Sequence, residues 1–313
     1  MITNLLNFYH VRYRKRGKKM VETSKRLKGA IDMHIHSAPD VRQRKMTDLQ
    51  IMDAAIQMGV RAVVIKSHLV PTADRASLLN MIKKEKYGDA VDFTMYGGIA
   101  LNRAVGGINP WAVEAALKLG AKVIWLPTNM ADNHTRKEGR GAGVVCTEND
   151  HVVEPLKDIF KLVKDFDVVL ATGHISSKEC FIVTEAARNA GVKKISITHP
   201  EFHIVGMTME ERVKIVKDYD VMLECDYAQP VKPGCYKKNF PENVETIKTV
   251  GAEHVVMATD AGQMQNPAWN ESFSEIVNGL YEEGIDEKDI DLLIRKNPAW
   301  LLGLNDENTE GIK

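Results

Sequence analysis

The chain has 313 residues, 44% of them apolar, and 42 basic residues balance 42 acidic ones. It is long enough to bury a large core and carries no net charge to draw it to nucleic acid or a membrane surface. Four cysteines form no Cys-x-x-Cys pair, and no run approaches the roughly 18 consecutive apolar residues of a membrane span, so a soluble cytoplasmic protein with reduced thiols is expected.

Residues 1–28 read as a basic N-terminal helix or arm, with nine lysines and arginines between His10 and Lys28 against Glu22 alone. A signal peptide fits badly, because the charges follow the apolar patch Ile2–Phe8 and no small-residue cleavage site appears. A nucleic-acid role for this arm is the alternative to simple solvation, and no such partner is expected.

From Ile31 the chain alternates short β-rich runs with helical patterns. The first run is Ile31-Asp32-Met33-His34-Ile35-His36, whose alternate side chains point the same way, so that His34 and His36 can converge on one ion. A helix follows over 47–58, with Thr47 as N-cap and Gly59 as stop. Further strands are predicted at 61–67, 93–99, 122–126, 168–172, 194–198, 221–225 and 254–259. Helices are predicted between them at 73–87, 110–119, 151–166, 178–190, 209–219 and 241–250. Eight such runs, nearly continuous in Val, Ile, Leu and Ala, suit strands buried on both faces of a parallel sheet. Their number and spacing predict a distorted (β/α)8 TIM barrel over residues 29–304, followed by a polar tail at 305–313. A doubly wound sheet is the competitor, but no Gly-x-Gly-x-x-Gly joins a strand to a helix.

The histidines fall at the C-terminal ends of the predicted strands, where a parallel barrel keeps its chemistry. Strand one ends in His34 and His36, strand two in Lys66-Ser67-His68, strand five in Gly173-His174, strand six in His199 with His203 beyond, and strand eight in Asp260. Imidazoles with a carboxylate suit a divalent ion, which lowers the pKa of a bound water from 15.7 toward about 7. Arg42, Arg44 and Lys45 in the loop after strand one, Arg103 after strand three and Arg140 in the strand-four loop are cations on the same rim. A carboxylate or phosphate on the substrate is therefore expected, with Arg42, His68, Arg103 and His203 as its contacts. The glycine-rich segment 129–147 reads as a lid or a loose crossover.

The order His-x-His, His, His, Asp on strands one, five, six and eight resembles that of the amidohydrolase superfamily, as does the ending Asn297-Pro298-Ala299-Trp300. The resemblance implies a metal-dependent hydrolase with His34, His36, His174, His199 and Asp260 as ligands to one or two ions. Zinc is the first choice, with manganese or iron as alternatives. It also implies Asp260 as proton acceptor and His199 as ligand or oxyanion stabiliser. The superfamily's bridging lysine or glutamate at the end of strand four is missing from Trp125-Leu126-Pro127. Lys66 is the substitute, either carboxylated as a ligand or held as a substrate-binding amine. The expected reaction is cleavage of an amide, amidine or lactone bond in a small anionic molecule by a homo-oligomer, and decarboxylation uses the same ligands. Two alternatives stand beside it. One is a phosphoesterase of the polymerase-and-histidinol-phosphatase type, which would want a histidine where Gly262 stands. The other is a non-catalytic metal-binding barrel.

Overall fold

The computed structural model describes residues 26–232 and 235–304. Nearly all of the basic arm and all of the C-terminal tail lie outside them. Strand β1 (Ile31–His36) pairs in parallel with β2 (Ala62–Lys66), and β2 with β3 (Thr94–Tyr96). A second parallel sheet runs β13 (Val255–Ala258), β10 (Met222–Asp226), β9 (Ile195–Thr198), β8 (Val169–Ala171), β5 (Val123–Trp125), β4 (Gly98–Ala100).

The predicted third strand is split between the two sheets, at Gly97. A Cβ on Gly97 would lie 2.4 Å from the Thr72 carbonyl, so only glycine passes there. Thr72 stitches the break: its hydroxyl donates to the Ile65 carbonyl at 2.7 Å and accepts from the Gly98 amide at 2.9 Å. The other seam lies between β1 and β13, where one parallel bridge joins Ile35 to Ala261 and the His36 amide donates to the Ala261 carbonyl at 2.7 Å. The structure is thus mixed α/β with parallel sheets of three and six strands, and its ladder does not close into the expected barrel.

Seven helices follow the rhythm: α1 (Asp48–Met58), α2 (Ala73–Tyr87), α3 (Pro110–Lys118), the short α4 (Asp132–Lys137), α5 (Glu154–Asp165), α6 (Ser177–Asn189) and α7 (Met209–Tyr219). Reciprocal capping boxes start α1, α6 and α7 through Thr47 with Gln50, Ser176 with Glu179 and Thr208 with Glu211. The helix expected from His151 begins three residues later, because His151–Val152 pairs as β7 with β6 (Thr147–Glu148). A second hairpin, β11 (Ala228–Lys232) with β12 (Cys235–Lys238), precedes α8 (Phe240–Val250). After β13 come α9 (Trp269–Glu282), α10 (Glu287–Asp291) and α11 (Asn297–Leu302).

Two apolar layers result. The larger lies between strands and helices; the smaller gathers Ile31, Met33, Val64, Trp125, Val169 and Met222 with Ala299, Leu301 and Leu302 of α11. The Asn297 amide anchors α11 by donating to the Ala252 and Val255 carbonyls at 2.8 and 2.7 Å. Among the described residues no helix is long and apolar enough to cross a membrane.

Candidate metal centre

Strand β1 does not alternate simply. Its register against β2 shifts between Asp32 and Ile35, as at a β-bulge. Met33 packs in the smaller layer, the His34 ring lies 6.1 Å from that of Trp125 in the same layer, and Ile35 belongs to the larger one. The bulge therefore turns His34 inward after Met33 and leaves Asp32 on the helix side. There Asp32 accepts from the Trp269 indole at 2.8 Å, the Thr259 hydroxyl at 2.7 Å, and the amides of His34 and Thr259. Burial lifts its carboxyl to about 6, against these four donors.

Four donors converge inside: His34, His199, Asp226 and Asp260 are all buried, and one ligand atom from each lies within 4.8 Å of the others. His34 Nδ1 lies 3.0 Å from Glu224 Oε1 and 3.1 Å from Asp226 Oδ2, and its Nε2 lies 3.4 Å from Asp260 Oδ1. His199 Nδ1 is in close contact with Asp226 Oδ2. His36 Nε2 approaches Asp260 Oδ1 at 3.2 Å, while its Nδ1 lies 3.0 Å from the Lys66 carbonyl and 3.2 Å from the Arg44 guanidinium. His199 and Asp260 carry positive φ angles of 39° and 44°, a region non-glycine residues rarely adopt. Both stand where a strand ends and its side chain must turn to the common centre.

The charges are strongly coupled. Burial and the Lys66 ammonium pull the His34 imidazole down, but Asp226 and Asp260 outweigh them and lift it to about 10. Burial alone would raise the Asp226 carboxyl, yet His34 and His199 hold it at about 2. His36, His68 and His174 are kept neutral, first by burial and then by neighbouring cations and imidazoles. Lys66 is fully buried, its amine 2.9 Å from His34 Nε2 and 5.0 Å from the Trp125 ring centre, and burial lowers its pKa. Trp125 ends β5, where the superfamily places its bridging residue, and it forms a wall against which the Lys66 amine rests.

Two clustered imidazoles and two carboxylates make a mixed N/O donor set that suits a divalent ion, and His174 Nε2 is buried and bonded to no protein group. His174 meets the site through its ring, 5.2 Å from that of His199, and its Nδ1 lies 2.7 Å from His134 Nδ1.

His34, His36, His134, His174, His199 and Asp260 line a cavity of about 490 Å³ at the C-terminal ends of the strands, while Asp226 and Lys66 are outside its lining. Of the predicted substrate contacts, Arg42, His68 and His203 border it; His68 Nδ1 lies 2.8 Å from the Thr128 hydroxyl. Arg103 does not border it: its guanidinium donates to the Ala142 carbonyl and pins the strand-four loop. That loop is no loose crossover. It holds α4, and the amides of Val144, Asp132 and Gly143 bond back to the Met130 carbonyl, the Val144 carbonyl and the Asp132 carboxylate at 2.7, 3.0 and 2.9 Å.

Three site residues escape the sequence reading. Glu224 and Asp226 stand two apart in the buried run of β10, the same period that singles out His34 and His36 on β1. His134 enters on α4, a six-residue helix inside a segment whose glycines mask it as loop.

An amidohydrolase from Pseudomonas aeruginosa superimposes with a TM-score of 0.64 at 11% identity over 90% of this chain and 98% of that one. A structure described as the probable dipeptidase PvdM from Pseudomonas aeruginosa gives 0.64 at 12%, over 93% of this chain and 98% of that one. The dihydroxybenzoic acid decarboxylase of Polaromonas sp. JS666, with manganese and an inhibitor bound, gives 0.55 at 12%, over 91% of this chain and all of that one. At these identities the likeness is one of fold, and it agrees with the superfamily resemblance carried by the strand-end residues. No curated protein matches the chain in sequence. The model of DUF6282, a family of unknown function, matches residues 29–224, more than half of the chain, and the protein belongs to that family.

Proposed function

We propose that the protein is a metal-dependent hydrolase that cleaves an amide, amidine or lactone bond in a small anionic substrate. One observation carries this reading: His34, His199, Asp226 and Asp260 offer four donors within 4.8 Å of one another beside a 490 Å³ cavity. A divalent ion, zinc first and manganese or iron otherwise, supplies Lewis-acid polarisation and an acidified water there. His34, His36, His174, His199, Asp226 and Asp260 are the residues that would hold it. Asp260 takes the proton of the attacking water and passes it to the leaving group, its Oδ1 steadied by the Gln263 amide at 3.1 Å. His199, oriented by Asp226, faces the developing oxyanion. Arg42 borders the cavity with no ion pair or hydrogen bond among the described residues, and it takes the substrate's anionic group. Lys66 serves either as a carboxylated ligand to a second ion or as an amine beside the first.

Decarboxylation is the second reading, because a fold neighbour that holds manganese is described as a dihydroxybenzoic acid decarboxylase. The phosphoesterase alternative loses ground at Gly262, where a Cβ would lie 1.8 Å from the His36 carbonyl oxygen and no histidine fits.

Elemental analysis of protein purified without chelator or affinity metal tests the proposal. The expected result is one or two ions per chain, lost in His34→Ala, with two falling to one in Lys66→Ala if that lysine bridges. Asp260→Asn should keep the fold and lose at least about 100-fold in turnover on responsive substrates. A wild-type chain that takes up neither zinc nor manganese on reconstitution would sink the hydrolase reading.

A further inference from the structure

We propose that Glu138 and His134, in the loop after β5, fix the tautomer of His174 and thereby present its Nε2 to the cavity as a bare lone pair. The inference uses the metal-dependent reading only for its consequence, since the order of hydrogen bonds belongs to the chain itself.

Glu138 Oε2 accepts from the Arg140 guanidinium at 2.6 Å, which keeps this carboxylate an acceptor. Its Oε1 lies 3.3 Å from His134 Nε2, so that nitrogen carries the proton. A neutral imidazole with its proton on Nε2 has a lone pair on Nδ1. His134 Nδ1 lies 2.7 Å from His174 Nδ1, and two nitrogens at that separation share one proton. Since His134 can only accept, His174 must donate from Nδ1. The remaining nitrogen, His174 Nε2, is then unprotonated, and it is the ring atom that is buried without any protein partner. With the opposite order Nε2 would carry a proton and could not serve as a ligand. Phe202 fixes the planes by packing on both rings, with centroids 6.0 Å from His134 and 5.4 Å from His174. His134 and Glu138 are positioning residues, acting on the site through His174 alone.

Metal-free protein labelled with 15N-histidine reports the tautomers directly by long-range proton–nitrogen correlation, with His174 assigned from His174→Gln. His174 is expected as the Nδ1–H form and His134 as the Nε2–H form. Glu138→Gln, whose amide can donate as well as accept, should give a mixture at both rings. His134→Leu should free the His174 tautomer, and His134→Asn, whose amide oxygen replaces the Nδ1 lone pair, should restore it. In competition with a chromophoric chelator, zinc should bind about 10-fold more weakly to Glu138→Gln and His134→Leu, with recovery in His134→Asn. An Nε2–H form of His174 in the wild-type protein would overturn the proposal, as would unchanged tautomers in both Glu138→Gln and His134→Leu. The expected tautomers in a wild-type chain that takes up no metal would uphold the relay and remove only the metal reading.

Discussion

The two ends of the strands bury very different residues. At the N-terminal end Ile31, Val123, Val169 and Met222 pack with Ala299, Leu301 and Leu302 of α11, an apolar plug that needs no partner beyond close contact. At the C-terminal end the buried residues are His34, Lys66, His199, Asp226 and Asp260, each of which costs free energy unless an opposite charge or a hydrogen bond answers it. Positive φ angles at His199 and Asp260 belong to this second end as well. The difference teaches that stability and chemistry occupy opposite faces of one sheet system, and that the chemical face depends on its neighbour strands being held in register.

The change expected to break this arrangement most severely is Gly262→Ala. Gly262 has φ of 120°, and an added Cβ would meet the His36 carbonyl oxygen at 1.8 Å and its carbonyl carbon at 2.6 Å. Backbone atoms cannot step aside as a side-chain tip can, so β13 would be pushed from β1 at the ends that carry Asp260 and His36. A loss of about 3 kcal/mol is expected from the backbone strain and the clash together, read as a shifted denaturant midpoint or as insoluble protein. Stability within experimental error of wild type would show that the two strand ends lie farther apart.

Leu301→Ala strikes the other end. Leu301 is fully buried in the plug, and truncation should cost about 2–5 kcal/mol through lost burial and the cavity left behind. Because none of the four clustered donors belongs to the plug, the metal content of the folded variant should equal that of wild type. A variant that unfolds at the expected lower denaturant concentration yet has lost its metal would mean that the two ends are energetically one unit.

The same contrast explains how much was legible in the sequence. Apolar strand runs announce themselves because a strand buried on both faces has no polar alternation to hide it, and seven of the eight predicted strands lie within a residue or two of those observed. The third divides at Gly97 because a helix N-terminus, held by Thr72, passes too close for a side chain, and that contact is invisible in one dimension. His34, His36, Lys66, His199 and Asp260 could be grouped in advance because strand ends of a parallel sheet share a rim. Glu224 and Asp226 carried the same period-two signal but sat among acids that a reader assigns to the surface. His134 had no signal of its own: only the fold of the strand-four loop brings it to His174. Arg103 shows the converse error, a rim cation whose hydrogen bond goes to a loop carbonyl and whose place is outside the cavity lining.

The smallest expected effect falls on the seam between β1 and β13. Gly262 lets the chain after β13 pass close to the His36 backbone, and Asp32 ties the same seam by accepting from Thr259 beyond β13 and from Trp269 on α9. Trp269→Phe removes one of four donors to a buried carboxylate while keeping most of the ring that packs 6.0 Å from Phe273. Losing one of four hydrogen bonds to a buried carboxylate, with Thr259 still donating to the same oxygen, should cost about 1.5–3 kcal/mol, less than truncating Leu301 if the remaining donors tighten around Asp32. Neither Asp32 nor Trp269 borders the cavity, so a purely local effect would leave metal affinity untouched. We expect a measurable weakening instead, because the Thr259 hydroxyl that bonds Asp32 directly precedes Asp260, and a looser seam lets Asp260 drift from His34. Equal losses of stability in Trp269→Phe and Thr259→Val, with metal affinity falling only in the latter, would locate the coupling in the Thr259–Asp260 turn and take α9 out of it.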